Sequence, residues 1–259
     1  DMAHELKRDS EIQPEAAEMI RLNILVNEKM WDSKTSFYFD KDRRGQLCNI
    51  KSIGAYWALL ANVVPGERMN EFLSHLTNED EFYTPHPIPS ISVDDPRYDR
   101  RGGLWLGSVW APTNYMVLKG LSTIGSHELA HDIGLKHNRF VTDIYSKTGT
   151  LWENYSPEKV NPGNQAKPDF VGWTGLSTVS VLFEYVFGIT PNHKENRLIW
   201  HVNLLEEHGI KNLCFGSNRI DLICQKRSAT DKEPVITIST EKPINLEIFW
   251  RGGHKMIKT

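Results

Sequence analysis

The stretch HELAHDIGLKHNRFVTDIYSK, residues 127–147, admits two readings that lead to different folds. Its first eleven residues match H-E-x-x-H-x-x-G-x-x-H, the zinc pattern of metzincin proteases. There, two histidines one turn apart ligate zinc and the glutamate is general base. The helix then stops near the glycine so that a third histidine can swing in. Placed at about 100° per residue, however, Leu129, Ala130, Ile133, Phe140, Val141 and Ile144 form one continuous apolar stripe. That stripe passes straight through Gly134, and a mid-helix glycine costs only about 1 kcal/mol relative to alanine. On an unbroken helix His127 and His131 lie on the polar side while His137 lies within the stripe, so the three cannot converge. No Met-turn follows, because the only methionine after His137 is Met256. Ser126 and Glu128 read as a helix cap and a favourable first-turn charge. The expectation is a long helix with a solvated histidine face and no assigned metal ligands; a zinc metalloprotease is the minor alternative.

The same helical spacing extends outward. SIGAYWALLANV (52–63), ERMNEFLSHL (67–76), SVWAPTNYMVLKGL (108–121) and TGLSTVSVLFEYVFGI (174–189) all carry it. Ser10, Gln13 and Pro14 suggest the start of a further helix over EIQPEAAEMIRLNILVNEKMW (11–31). Ala16, Ile20, Ile24 and Val26 are its buried candidates. After Pro191 the period shortens to alternating runs, RLIWHVNL, IKNLCFG, RIDLICQ, VITIST and INLEIFW, which predict a small antiparallel β domain. The organisation expected is therefore a mainly α unit over 1–189 and a β-sandwich-like unit over 190–259.

Composition narrows the partners. The 259 residues are 39% hydrophobic and 24% charged with a formal net charge of -3, which gives no electrostatic reason to expect nucleic acid or an anionic membrane. No apolar run approaches the roughly 20 residues of a membrane span. Cys48, Cys214 and Cys224 show no paired spacing and read as free thiols, with a Cys214–Cys224 bridge between adjacent strands as the alternative. The compartment is left open. DKDRRG (40–45) starts like a calcium loop, but Lys51 stands where the bidentate glutamate belongs. Asp94 and Asp95, before Pro96, read as turn-ordering residues.

Two long loops, 82–105 and 149–173, are rich in Pro, Gly, aromatic and acidic residues, a composition suited to a sugar-sized site. GGLWLGSVWAPTNYMVLKGL (102–121), TGTLWENYSPE (148–158) and DFVGWTGLSTVSVLFEYVFGI (169–189) together resemble the catalytic region of glycoside hydrolase families 63 and 37. Those families include processing α-glucosidases, trehalases and mannosylglycerate hydrolases. The resemblance runs from about residue 31 to 188, and the β region is similar to their C-terminal appendage. It implies an (α/α)6 toroid, incomplete here at its N-terminus, and an inverting glycosidase acting on an α-linked glucoside or related oligosaccharide without a cofactor. Glu153 matches the family's general base. Trp105, Trp110, Asn114 and Tyr115 match its pocket-lining loop and following helix, and Tyr155 and Trp173 join them as substrate-binding candidates. The family's general acid lies further upstream of the base than this chain extends, and the helices counted are about half of twelve. Three explanations follow: part of a longer polypeptide, one part of a split enzyme, or a truncated non-catalytic carbohydrate-binding relative. Self-association or a partner chain would then supply the missing half.

Overall fold

The computed structural model describes residues 2–259. A short helix α1 (Met2–Glu5) and the long helix α2 (Gln13–Lys29) lead into a hairpin of β1 (Trp31–Asp32) and β2 (Phe37–Tyr38). Helices α3 (Trp57–Leu60), α4 (Gly66–Ser74), α5 (Ala111–Thr123), α6 (His127–Thr148) and α7 (Gly172–Leu176) follow, and α7 runs on into a π-helix, Ser177–Val186. Strands β3 (Ile189–Asn192), β4 (Arg197–His201), β5 (His208–Phe215), β6 (Asn218–Cys224), β7 (Ile236–Thr240), β8 (Asn245–Trp250) and β9 (Gly253–Lys258) complete the chain.

Helix α6 is unbroken. It buries Ala130, Ile133, Val141 and Ile144 on the stripe side, and it stops where Gly149 takes a left-handed conformation (φ 73°) and donates its N–H to the Tyr145 carbonyl at 2.7 Å. Ser126 makes no side-chain cap bond, contrary to the expectation from sequence. Gly134 serves close packing rather than helix termination. A Cβ there would sit 3.0 Å from Cβ of Tyr185, so glycine lets the π-helix approach α6.

The first core joins the hairpin, α3, α4, α5 and α6 through an aromatic cluster. Phe37, Tyr56, Phe72 and Phe82 are fully buried, with Tyr56 stacked on Phe72 at 4.8 Å. Helix α2 departs from expectation. It starts at Gln13 after a 3-10 turn, with Pro14 in its first turn, yet none of its residues is buried. Ile20 and Ile24 are 65% and 52% exposed, Ala16 is exposed too, and only the C-terminal end, through half-buried Val26, packs against the core. The apolar spacing is there, but no described element covers it.

In the β region, β3-β4-β8-β9 form one sheet and β5-β6-β7 a second. Trp200, Leu246 and Ile248 from the first meet Ile220, Leu222 and Phe215 from the second in a shared core. The expected antiparallel pattern holds for every pair but β4 and β8, which run parallel. A parallel pair needs a long crossover, and residues 202–244, carrying the whole second sheet, provide it. Gly188 (φ 78°) makes the joint between helical and β regions: a Cβ there would fall 2.1 Å from the His201 carbonyl oxygen. All three cysteines are free, since Cys214 faces Arg219 and Cys224 faces His208 across the β5–β6 ladder. No helix among the described residues is long and apolar enough to cross a membrane.

Candidate active site

Glu153 sits on a loop whose backbone is held from both sides. Its N–H donates to the Lys167 carbonyl at 3.0 Å, and its own carbonyl accepts from Nε1 of Trp173 at 3.1 Å. One residue earlier, the Trp152 carbonyl accepts from Oγ1 of Thr174 at 2.8 Å, and the Trp152 N–H donates to the Tyr155 hydroxyl at 3.2 Å. These bonds fix the main chain while the half-exposed Glu153 carboxylate has no hydrogen-bond partner among the described residues. Beneath lies a small core of Val109, Val141, Ile144 and Tyr155, so the stripe of α6 is also the floor of this loop.

Three tryptophans line up beside it. Trp105 stacks on Trp110 with centroids 4.5 Å apart, and Trp110 meets Trp173 edge-on at 5.9 Å. Trp110 is buried, whereas Trp105 and Trp173 are 56% and 40% exposed. The arrangement offers two exposed apolar rings, those of Trp105 and Trp173, the second of which holds the Glu153 backbone. Sugar rings stack on such faces while their hydroxyls bond to polar groups.

The other expected contacts lie elsewhere. Asn114 is fully buried and its amide is spent on backbone: Oδ1 accepts from Ile88 N–H at 2.9 Å, and Nδ2 donates to the Ile88 and Trp110 carbonyls. It anchors the loop under Trp110. Tyr155 is also fully buried, its hydroxyl pushed up to about 12 by burial. Tyr115 turns away from the tryptophans, donates to Oε1 of Glu184 at 2.8 Å, and packs on the aromatic core. Thr174, which sequence reasoning passed over, does the holding through the Trp152 carbonyl; only its adjacency to Trp173 hinted at it.

The motif histidines separate, but the face that carries His127 and His131 is half-buried against the β region and the π-helix rather than solvated. His127 stacks on His201, Nδ1 of His131 bonds the Tyr185 carbonyl at 2.9 Å, and His137 is buried between Nε2 of His86 (2.9 Å) and Oγ of Ser177 (2.6 Å). Among the described residues no three His, Cys, Asp or Glu side chains converge as a metal site. Asp95 orders its turn through bonds to Arg97, and Asp94 pairs with Lys51 at 2.7 Å.

The sequence pattern of the family described as the mannosylglycerate hydrolase MGH1-like glycoside hydrolase domain matches residues 1–171. An uncharacterized protein of Borreliella burgdorferi is 27% identical over 216 residues, covering 79% of this chain and 46% of its own length. A probable mannosyl-oligosaccharide glucosidase of Schizosaccharomyces pombe is 27% identical over 175 residues, 61% of this chain and 21% of that protein. This chain thus spans less than half the length of these relatives. Among solved structures, a family 63 mannosylglycerate hydrolase from Thermus thermophilus in complex with glucose superposes with a TM-score of 0.50 at 21% identity, over 60% of this chain and 34% of that one. A sialidase structure superposes with a TM-score of 0.69 at 13% identity, over 92% of this chain and 23% of that chain. The latter coverage takes in both the helical and the β regions, as a likeness of fold.

Proposed function

Because the chain belongs to the MGH1-like glycoside hydrolase domain family, we propose that it forms part of an inverting α-glycosidase in which Glu153 is the general base. The observation that carries this reading is the unpaired Glu153 carboxylate on a backbone bonded directly to Trp173, which is joined through Trp110 to the exposed ring of Trp105. Inversion uses two carboxyl groups about 6.5–9.5 Å apart, which leaves room for one water between the base and the anomeric carbon. Glu153 takes a proton from that water as its oxygen bonds to the anomeric carbon. The glycosidic C–O bond breaks, and the leaving oxygen receives a proton from the acid partner. Trp105 and Trp173 would stack the sugar, Trp110 backs Trp105, and Asn114 and Tyr155 support the loops from below. The substrate class we favour is an α-linked glucoside or related oligosaccharide.

The acid partner and the rest of an (α/α)6 ring would come from outside these residues, as further helices against α2. Its exposed Met19, Ile20 and Leu22 border an apolar groove of about 600 Å³ that Trp57 and Ala58 help line. A surface of that kind marks an association site. On this reading 1–189 is the catalytic portion and 190–259 an appended β unit.

Glu153→Gln tests the assignment. It should abolish hydrolysis of α-glucosides while leaving saccharide binding, followed by tryptophan fluorescence, within about twofold. Undiminished hydrolysis would remove Glu153 from the reaction. Binding with no turnover by the wild type even when joined to the segment or partner that supplies the acid would favour a non-catalytic carbohydrate-binding relative.

A further inference from the structure

A second cavity, of about 460 Å³, lies between the helical region and the first β-sheet, lined by residues distinct from the Glu153 loop and the three tryptophans. Its wall carries a column of rings. His127, at the start of α6, stacks on His201 at 3.8 Å and 25°, His201 on Phe249 at 4.9 Å, and Phe249 on His254 at 4.5 Å. Glu247 of β8 stands beside the column on the same sheet, Glu184 comes from the π-helix, and Asn203 lies at the exit of β4.

The polar atoms here are unevenly used. The imidazole nitrogens of His127 and His201 and the amide of Asn203 have no hydrogen-bond partner among the described residues, although each side chain is half-buried. Burial holds both histidines below their ordinary value, His201 at about 4, with help from His127. At neutral pH each ring therefore offers one donor and one acceptor and no charge. Glu184 accepts from Tyr115 on one oxygen and from Lys119 on the other, at 2.8 and 3.2 Å. Glu247 likewise accepts from Arg197 at 2.7 Å and faces His254 at 3.1 Å. Every carboxylate oxygen keeps a second lone pair free. Lys119 pairs with Glu184, and Arg197 bridges Glu247 and Glu195, so no charged group at the cavity is left without an ionic partner.

We infer that this junction cavity is a second saccharide site, which takes a neutral mono- or disaccharide unit through His127, His201, Asn203 and the free lone pairs of Glu184 and Glu247. A hydroxyl both donates and accepts, and it is the ligand group that matches neutral imidazoles, an amide and already-paired carboxylates. The volume falls within the range of small-molecule sites, about 300–1,000 Å³. The inference stands apart from the role of Glu153. Because the cavity joins α6 to β4 and β8, an occupant would also bridge the two regions.

The test is a two-dimensional amide NMR titration of the full chain with maltotriose and with α-mannobiose. Saturable shifts are expected at His127, Thr190, His201 and Asn203 for at least one sugar, and they should persist in Trp105→Ala. Asn203→Ala and His201→Phe should each weaken them by about tenfold, the loss expected when one or two hydrogen bonds go. Phenylalanine keeps the ring stack, so the fold is retained in that variant. Shifts confined to the loops around Trp105 and Glu153, no shifts with either sugar, or shifts insensitive to both variants would each overturn the inference. Junction shifts together with a silent Trp105 loop would instead sustain it and undo the proposed active site.

Discussion

His137→Leu probes whether the zinc-like histidine is a core residue. In the wild type its ring has no solvent exposure and bridges His86 and Ser177, at 2.9 and 2.6 Å. Leucine fills similar space but leaves Nε2 of His86 and Oγ of Ser177 buried and unpaired, at about 1–3 kcal/mol each, or about 4 kcal/mol together. A pH dependence comes with it. Burial lowers His137 from 6.5 to about 4, so the unfolded chain binds its proton first as pH falls. Stability from the neutral ring is thus complete above about pH 7 and drains away between pH 6.5 and 4, by about 3 kcal/mol at 1.36 kcal/mol per pKa unit. His86, buried and also lowered by burial and by His137, titrates in both proteins. Urea unfolding followed by helical circular dichroism, from pH 7.5 to pH 4, should show the wild type ahead by about 4 kcal/mol at the top and by about 1 kcal/mol at the bottom. A lead that stays constant with pH would refute the buried, neutral His137 and with it the reading of α6 as an unbroken packed helix.

Three other substitutions have distinct signatures. Asn114→Ala removes the bonds to Ile88 and Trp110 and should cost about 3 kcal/mol in thermal or urea unfolding; a stability-neutral variant that loses saccharide binding would mean the amide faces ligand after all. Arg227 is 7% exposed and donates to the carbonyls of Val202, Leu204, Thr230 and Lys232, so Arg227→Met should destabilise the β region by about 3 kcal/mol or more, read from Trp200 and Trp250 fluorescence during unfolding. Trp105→Ala truncates a half-exposed ring, so unfolding should shift by no more than about 0.5 kcal/mol while saccharide affinity falls about tenfold by calorimetry.

Those contrasts also show what a linear sequence carries. The stripe Ala130–Ile133–Val141–Ile144 is local and periodic, so α6 could be read through its glycine without knowing its neighbours. What Gly134 packs against was hidden, because Tyr185 is distant along the chain. Helix α2 shows the converse. Ile20 and Ile24 look like core by spacing, but spacing does not reveal whether a covering element exists. The family resemblance pointed to Asn114, Tyr115 and Tyr155 as ligand contacts, whereas carbonyls, which every residue carries, claim the Asn114 amide. The parallel pairing of β4 with β8 is set by a crossover of some forty residues and leaves no local mark. Glu153 was legible through the family resemblance of TGTLWENYSPE; the backbone bonds that hold it were not.

The most direct measurement is proton NMR of the anomeric region during the first minutes of α-glucoside hydrolysis by this chain joined to the segment or partner that supplies the acid, before mutarotation mixes the products. A water activated by Glu153 attacks from the face opposite the leaving group, so the β-anomer should be released first. Release of the α-anomer first would contradict the account, because retention requires a carboxylate that bonds to the sugar itself rather than one that deprotonates water.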